Sequence, residues 1–362
     1  MRSHRLILPT LLLPALLLGC RDEPKPRPSA QPPGRQSSAD ANQAAAAALP
    51  EQSIDLSSDL QPTPAPSVDP TPPEWMLDTT AWDAAAQTDV PSPQEIDPNA
   101  ETDPVLLLAA GRHALAGGQR PRAIRCFRRA TDLAPDATEA RRGLGLAYAA
   151  AGQYGRALKV YHAILTASPD DQTARYNFAV ACSRLGRRAL AEKAYRELLQ
   201  AEPGHLRARY NLACLLQKGG ELTEALKHWH LVASTDEESP RPHTAMGEVY
   251  LDLGRYDKAM FAFAEAAQRS PDDAMAWLAF SDAAKLAGSF GRAMAGAERA
   301  VRVDPNAPLP LARLGKLQVL VGRSVKDDKL TAAGVRNIRR SLRIDPSQKD
   351  LRDWLTSLDE TD

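Results

Sequence analysis

Residues 138–171 read TEARRGLGLAYAAAGQYGRALKVYHAILTASPDD, and this stretch decides the fold. Gly152 stands in its middle, Ala157 and Tyr161 follow, and Pro169 lies near its end. Glycine adopts the left-handed conformation that ends a helix at little cost, and proline cannot continue a helix. The stretch therefore predicts two helices joined by a turn at Gly152.

The same residues return every 34 positions along most of the chain. The glycines are Gly118, Gly152, Gly186, Gly220, Gly254, Gly288 and Gly322, and the alanines are Ala123, Ala157, Ala191, Ala225, Ala259 and Ala293. Four residues after each of the first five alanines stand the aromatic residues Phe127, Tyr161, Tyr195, Trp229 and Phe263. A fixed period of this length indicates a stacked array of helical hairpins. Such arrays commonly bind other proteins and seldom carry out chemistry themselves.

The pattern resembles the tetratricopeptide repeat, which carries Leu-Gly-x-x-Tyr in its first helix, Ala-x-x-x-Phe in its second helix and then a proline. Leu144-Gly145 with Tyr148 matches the first signature. The resemblance implies an all-α fold, a tetratricopeptide repeat superhelix (α-solenoid) of about seven helix-turn-helix repeats over residues 104–346. The repeats begin at Pro104, Thr138, Gln172, Leu206, Pro240, Ala274 and Pro308.

Three repeats depart from the pattern. The fourth has Glu237 where proline is expected, which predicts a local change of loop. The sixth has Ala297 in place of the aromatic residue, which predicts looser packing. In the seventh, Gly322 and Pro346 lie seven positions further apart than the glycine and the proline of a regular repeat, and we expect the seven extra residues in the turn after Gly322. Residues 347–362 are expected to form a capping helix and a tail, because Leu351, Trp354, Leu355 and Leu358 share one helical face.

The first residues of the chain have the pattern of an export signal. Basic residues precede an apolar run of thirteen residues, too short to span a bilayer, and the run ends Leu17-Leu18-Gly19-Cys20. This ending resembles the bacterial lipoprotein box, which implies a signal peptide over residues 1–19 and a lipid-modified Cys20 that anchors the protein to a membrane. In that family an aspartate after the cysteine retains the protein at the inner membrane, so Arg21 favours the outer membrane, facing the periplasm. A plain cleaved signal or a membrane-embedded anchor are the alternatives.

Residues 20–103 are rich in proline and alanine and poor in large apolar residues, so we expect a disordered tether. Residues 21–103 carry 4 Lys or Arg and 15 Asp or Glu, a net charge of −11, whereas residues 104–362 carry +9. The basic array presents either a solvated face or a surface for acidic partners, including the tether itself and lipid head groups. Trp75 and Trp82 lie in the acidic run and suggest a segment that docks on the array; the alternative is an unrelated pair. We expect no nucleic-acid partner, because the chain carries an export signal.

No catalytic, cofactor or metal-binding pattern is present in the sequence. His228 and His230 are two residues apart on a helix and point to different faces, so they form a poor metal pair. Cys126, Cys182 and Cys214 are expected as buried small apolar residues, with a Cys182–Cys214 disulfide as the alternative. We therefore expect a protein that is not an enzyme.

The binding face is predicted from a repeated pentapeptide, Arg-Tyr-Asn-x-Ala, at residues 175–179 and 209–213. The family resemblance implies that first helices line a concave groove, and that an asparagine in this position grips the backbone of an extended peptide. The predicted partner-binding residues are Tyr176, Asn177, Arg207, Tyr210, Asn211, Gln217, Lys218 and Arg241. Replacing both asparagines by alanine should then weaken binding and leave stability nearly unchanged. The alternative is that the Tyr-Asn pair serves helix packing.

Together these features predict a lipid-anchored cell-envelope scaffold that binds an envelope protein or an extended peptide through the groove. By analogy with lipoproteins of this fold, it would assist the assembly of an envelope complex such as a secretin or a pilus. The alternative is a cell-wall-associated accessory protein that binds glycan strands or their synthases.

Overall fold

A computed structural model of the chain describes residues 96–359. These residues form fifteen α-helices and no strand. The helices are α1 Pro104–Ala116, α2 Arg120–Leu133, α3 Thr138–Ala150, α4 Tyr154–Ala167, α5 Gln172–Arg184, α6 Arg188–Ala201, α7 Leu206–Lys218, α8 Leu222–Thr235, α9 Arg241–Asp252, α10 Tyr256–Arg269, α11 Ala274–Leu286, α12 Phe290–Val303, α13 Pro308–Val325, α14 Asp328–Ile344 and α15 Lys349–Asp359.

Odd-numbered helices from α1 to α13 are the first helices of the repeats, and even-numbered helices are the second. Each helix packs against the next one along the chain, from α1 through α15, and several first helices also touch the first helix of the following repeat. This is the packing of a tetratricopeptide solenoid, as the sequence predicted. The predicted signal peptide, Cys20, Trp75 and Trp82 lie outside the described residues.

The glycines end six of the seven first helices as predicted. Gly118, Gly152, Gly186, Gly220, Gly254 and Gly288 have φ between 65° and 80°, a range that side chains disfavour. Asp171 caps the N-terminus of α5 in the third repeat, because its Oδ1 accepts a hydrogen bond of 2.9 Å from the Ala174 amide. The loop at Glu237 keeps the register, and α9 starts at Arg241.

In the first, second and fifth repeats the aromatic residue of the second helix fills a gap left by a glycine of the first helix. The Phe127 ring lies between Gly111 and Gly143, and a Cβ on either glycine would stand 2.6–2.7 Å from ring carbons. Phe263 covers Gly247 in the same way. No side chain fits at these glycines, so the ring and the gap hold each hairpin closed.

The sixth repeat fills its gap from the opposite helix. Phe280, on the first helix, packs against Gly296 on the second, where an added Cβ would lie 2.7 Å from the ring. Ala297 and Ser281 are both buried, and the Ser281 hydroxyl donates to the Ala293 carbonyl at 2.7 Å. The predicted loose packing at Ala297 is therefore wrong, because Phe280 supplies the missing ring.

The seven extra residues of the last repeat lengthen its helices, so their predicted place in the turn is wrong. α13 has 18 residues and α14 has 17, against 13 and 14 in the second repeat. Gly322 lies inside α13, and the residue with positive φ is Lys326, at 57°. Gly334 and Ile338 take the places of the alanine and the aromatic residue. A Cβ on Gly334 would lie 2.6 Å from the Gly315 carbonyl oxygen, so the two helices cross with their backbones in contact.

Both ends of the array are covered, although by different means. At the C-terminal end, α15 packs Leu351 and Trp354 against α13 and α14, as predicted. At the N-terminal end, Ile96 is buried against Leu107 and Cys126 of the first repeat. Ile96, which the sequence placed in the tether, thus lies against the array.

Candidate partner-binding groove

Asn211 joins the third and fourth repeats from a buried position. Its Nδ2 donates to the Tyr176 hydroxyl at 3.0 Å, and its side chain is 4% exposed. Burial holds the pKa of the neighbouring Tyr195 hydroxyl well above its ordinary value, and the Asn211 carboxamide beside it lowers that pKa only in part. The Tyr176 ring also stacks on His205, with centroids 5.0 Å apart. Asn211 therefore ties adjacent repeats together.

Asn177 lies one repeat earlier in different surroundings. Its side chain is 1% exposed, and it has an interaction of its own within the chain. Asn211 bonds to Tyr176, and the corresponding position for Asn177, one repeat earlier, is occupied by Arg142. Arg142 pairs instead with Asp171, at 2.8 Å. The two asparagines therefore occupy the same repeat position without having the same kind of partner. Because both side chains are buried, their replacement by alanine would disturb packing, so it does not test binding alone.

Tyr210, Gln217 and Glu248 form a chain of contacts across the fourth and fifth repeats. The Tyr210 ring meets Trp229 edge to face at 4.8 Å. Trp229 Nε1 donates to Gln217 Oε1 at 3.0 Å, and Gln217 Nε2 donates to Glu248 Oε2 at 3.2 Å. A buried aromatic pair thus fixes a half-buried amide beside a half-buried carboxylate.

The predicted basic residues fall at different depths. Arg241 is exposed. Burial raises the pKa of the Tyr210 hydroxyl, and the charge of Arg241 lies close enough to offset part of that rise. Arg207 is half-buried, and Lys218 is an exposed side chain at the end of α7. The structure thus brings Tyr210, Gln217 and Arg241 to one cluster, and it joins Tyr176 to Asn211 in another.

Glu248 lies beside the predicted residue Gln217, and the sequence prediction did not include it. Glu248 and Asp282 stand one repeat period apart, at the same place in consecutive first helices. Asp282 faces Arg313 of the seventh repeat, with Oδ1 and Nη1 3.9 Å apart. The asparagines were selected because they stand 34 residues apart on first helices, and the same criterion would have selected these two acids.

The three cysteines of the array are buried. Cys126, Cys182 and Cys214 form no disulfide, so the structure does not contain the alternative Cys182–Cys214 bond. Burial raises the pKa of Cys182 to about 11. Within residues 96–359 no group of three or more His, Cys, Asp or Glu side chains could hold a metal ion. In the same range no helix has the length and apolar character needed to cross a membrane.

Comparison with known families agrees with the packing. Two family models, both described as tetratricopeptide repeat, match residues 108–172 and 176–304. The chain therefore belongs to the tetratricopeptide repeat family, whose members mediate protein–protein interactions. No curated protein matches the chain.

Solved structures resemble the chain at low sequence identity, and the one with the higher TM-score shares its fold. The C-terminal part of a TPR repeat-containing protein from Cytophaga hutchinsonii is 15% identical, with a TM-score of 0.59 over 68% of this chain and 98% of that chain. A tetratricopeptide repeat protein from Parabacteroides merdae is 18% identical, with a TM-score of 0.48 over 70% and 97% of the two chains. YrrB, a TPR protein with an unusual peptide-binding site, is 19% identical, with a TM-score of 0.43 over 51% and 96%.

Proposed function

We propose that this protein is a lipid-anchored scaffold of the bacterial cell envelope, attached through Cys20 to the outer membrane and facing the periplasm. Its first helices bind a protein partner or an extended peptide, and this binding assists the assembly of an envelope complex. The membership of a family that mediates protein–protein interactions supports the binding role. The signal pattern that ends at Cys20 supports the anchor. The proposal gives the array no catalytic role.

The observation that carries the proposal is the cluster of Gln217, Arg241 and Glu248. Gln217 and Glu248 are half-buried and Arg241 is exposed, and the charges of Arg241 and Glu248 both act on the Tyr210 hydroxyl. An amide, a carboxylate and a guanidinium together offer donors and acceptors, which suits the alternating N–H and C=O groups of an extended peptide. This cluster replaces the buried asparagines as the centre of the proposed groove.

Site-specific photo-crosslinking in living cells tests both parts of the proposal. A photoreactive residue replaces Lys218 or Arg241 on first helices and, as matched controls, Lys227 or Lys258 on second helices, all four being exposed. We expect one adduct of defined size from the first-helix positions and at least about threefold less from the controls, since crosslinking requires close contact. Cys20→Ala should move the protein from the membrane fraction to the soluble fraction.

Equal adducts from the two sets of positions would show contact that is not confined to the first helices, and stronger adducts from the second helices would place the partner on the opposite face; either result would reject the groove. An adduct that glycan-degrading enzymes remove would favour the cell-wall alternative. A Cys20→Ala protein that stays in the membrane fraction would reject the lipid anchor and leave the groove result standing.

A further inference from the structure

The chain that precedes α1 runs along the first repeat. Ile96 is 8% exposed and packs in a cluster with Leu107, Cys126 and Ala130. Arg122 Nη2 donates to the Ile96 carbonyl at 3.1 Å. Residues 97–101 then form a turn, with the Glu101 amide bonded to the Asp97 carbonyl at 3.0 Å. Whatever lies directly before Ile96 therefore starts from the surface of α2.

That surface is rich in arginine. Arg122, Arg125 and Arg129 are spaced i, i+3 and i+7, so they share one face of α2. Arg120 and Arg125 are exposed. Within residues 96–359, no carboxylate forms an ion pair with Arg125.

The residues that precede Ile96 have the complementary charge. Residues 74–95 contain five acids, no Lys and no Arg, together with Trp75 and Trp82. An extended chain of this length reaches up to about 75 Å, while the 14 residues of α2 span about 21 Å. Attachment at Ile96 holds the acids near α2 at a high effective concentration, on the order of millimolar. The segment is thus long enough, oppositely charged and tied at the right place.

The start of α1 also presents exposed apolar area. Val105, at the start of α1, is 66% exposed. At the other end of the array, the corresponding task falls to Leu351 and Trp354 of α15. A tryptophan of the acidic segment would supply the same kind of cover, because its ring contributes a large apolar area.

We propose that residues 74–95 bind the first repeat, with their carboxylates on the exposed arginines of α2, Arg120 and Arg125, and with Trp75 or Trp82 against the start of α1. The segment then caps the N-terminal end of the array, and the rest of the tether extends from it. This inference is independent of the proposed groove, which lies three repeats further along the chain.

Intramolecular photo-crosslinking of the purified full-length chain tests this inference. A photoreactive phenylalanine replaces Trp75 or Trp82, and mass spectrometry identifies the peptide to which it attaches. We expect attachment within residues 104–133, independent of protein concentration. The yield should fall several-fold between about 50 mM and 500 mM salt, because the salt screens exposed charges.

Two double variants provide the matched control. Arg120→Gln with Arg125→Gln removes two exposed charges from α2, and Arg339→Gln with Arg343→Gln removes two from the exposed arginine row of α14. The α2 variant should lower the yield at least about threefold, as expected for two exposed ion pairs, and the α14 variant should leave it unchanged. Circular dichroism checks that both variants stay folded.

Several outcomes would overturn the inference. Attachment to α14 or to another repeat would show a different docking surface. A yield that rises with protein concentration would show contact between two chains. The absence of any attachment to the array would show that the segment does not dock.

Discussion

The fifth and sixth repeats close the same hairpin with the large side chain on opposite helices. In the fifth, Phe263 of the second helix covers Gly247 of the first; in the sixth, Phe280 of the first helix covers Gly296 of the second. In these two repeats one ring fills one facing gap, and either helix can supply the ring. What the two repeats share is the filled space between their helices, and not the helix that carries the large side chain.

The two arrangements differ in how deeply they bury the ring. Phe263 is 1% exposed, whereas Phe280 is half-buried. The sixth repeat adds a polar contact that the fifth lacks, the bond from the Ser281 hydroxyl to Ala293. The fifth repeat thus depends more on apolar burial than the sixth does.

The largest expected effect separates the two rings. Phe263→Ala should lower the free energy of unfolding by about 3–5 kcal/mol, because it removes a fully buried ring and leaves a cavity. Phe280→Ala should cost clearly less, since part of that ring already contacts water. Urea denaturation followed by circular dichroism measures both.

Phe261→Ala is the matched control on the same helix as Phe263, with a ring that is 60% exposed, and it should change stability by less than about 0.5 kcal/mol. Equal losses for Phe263→Ala and Phe280→Ala would remove the proposed difference between the repeats.

An intermediate effect is expected from restoring the regular residue in the sixth repeat. Ala297→Phe should destabilise by about 1–3 kcal/mol, because Ala297 is fully buried and Phe280 already fills the hairpin. Ala295→Phe, at an exposed position of the same helix, serves as control. Stabilisation by Ala297→Phe in a thermal melt would reveal unfilled space and restore the interpretation of loose packing.

The smallest effect concerns the hydroxyl that only the sixth repeat uses. Ser281→Ala should lower the free energy of unfolding by about 1 kcal/mol, the usual worth of one internal hydrogen bond. Ser234→Ala removes a similar bond of 3.0 Å to the Leu231 carbonyl on an exposed surface, and it should cost less. If both variants lose the same stability, the buried hydroxyl has no special role in the sixth repeat.

Sequence spacing predicted the helices and turns well because each signal was local. A glycine at the end of a first helix needs only its own backbone angle, so Gly118 and Gly254 behaved as expected. The role of Phe280 was missed because this residue occupies the leucine position of the family's first signature, the position of Leu144, where any large apolar side chain fits the pattern. Its role depends on the facing gap at Gly296, which only the packing shows. In the seventh repeat the sequence did carry a signal for where the extra residues lie. Gly334 precedes Pro346 by the same distance as Ala293 precedes Pro305, so the extra residues must come before Gly334.

The candidate groove was predicted less well, because side-chain depth is a tertiary property. Asn211 was expected on the surface, yet Tyr176 and Tyr195 draw its carboxamide inward. Ile96 was expected in the tether, since its neighbours in sequence are acidic and polar. Its burial depends on Arg122 and Leu107, which no local pattern connects to it.

The contacts between neighbouring helices also set the order in which the chain can gain structure during synthesis. Each described helix packs chiefly against the helix next to it in sequence, so no repeat waits for a distant part of the chain. As a ribosome releases the chain from its N-terminus, each hairpin can settle on the one completed before it. α15 emerges after the seven repeats, and until it does so the apolar side of the seventh repeat stays open and prone to aggregate.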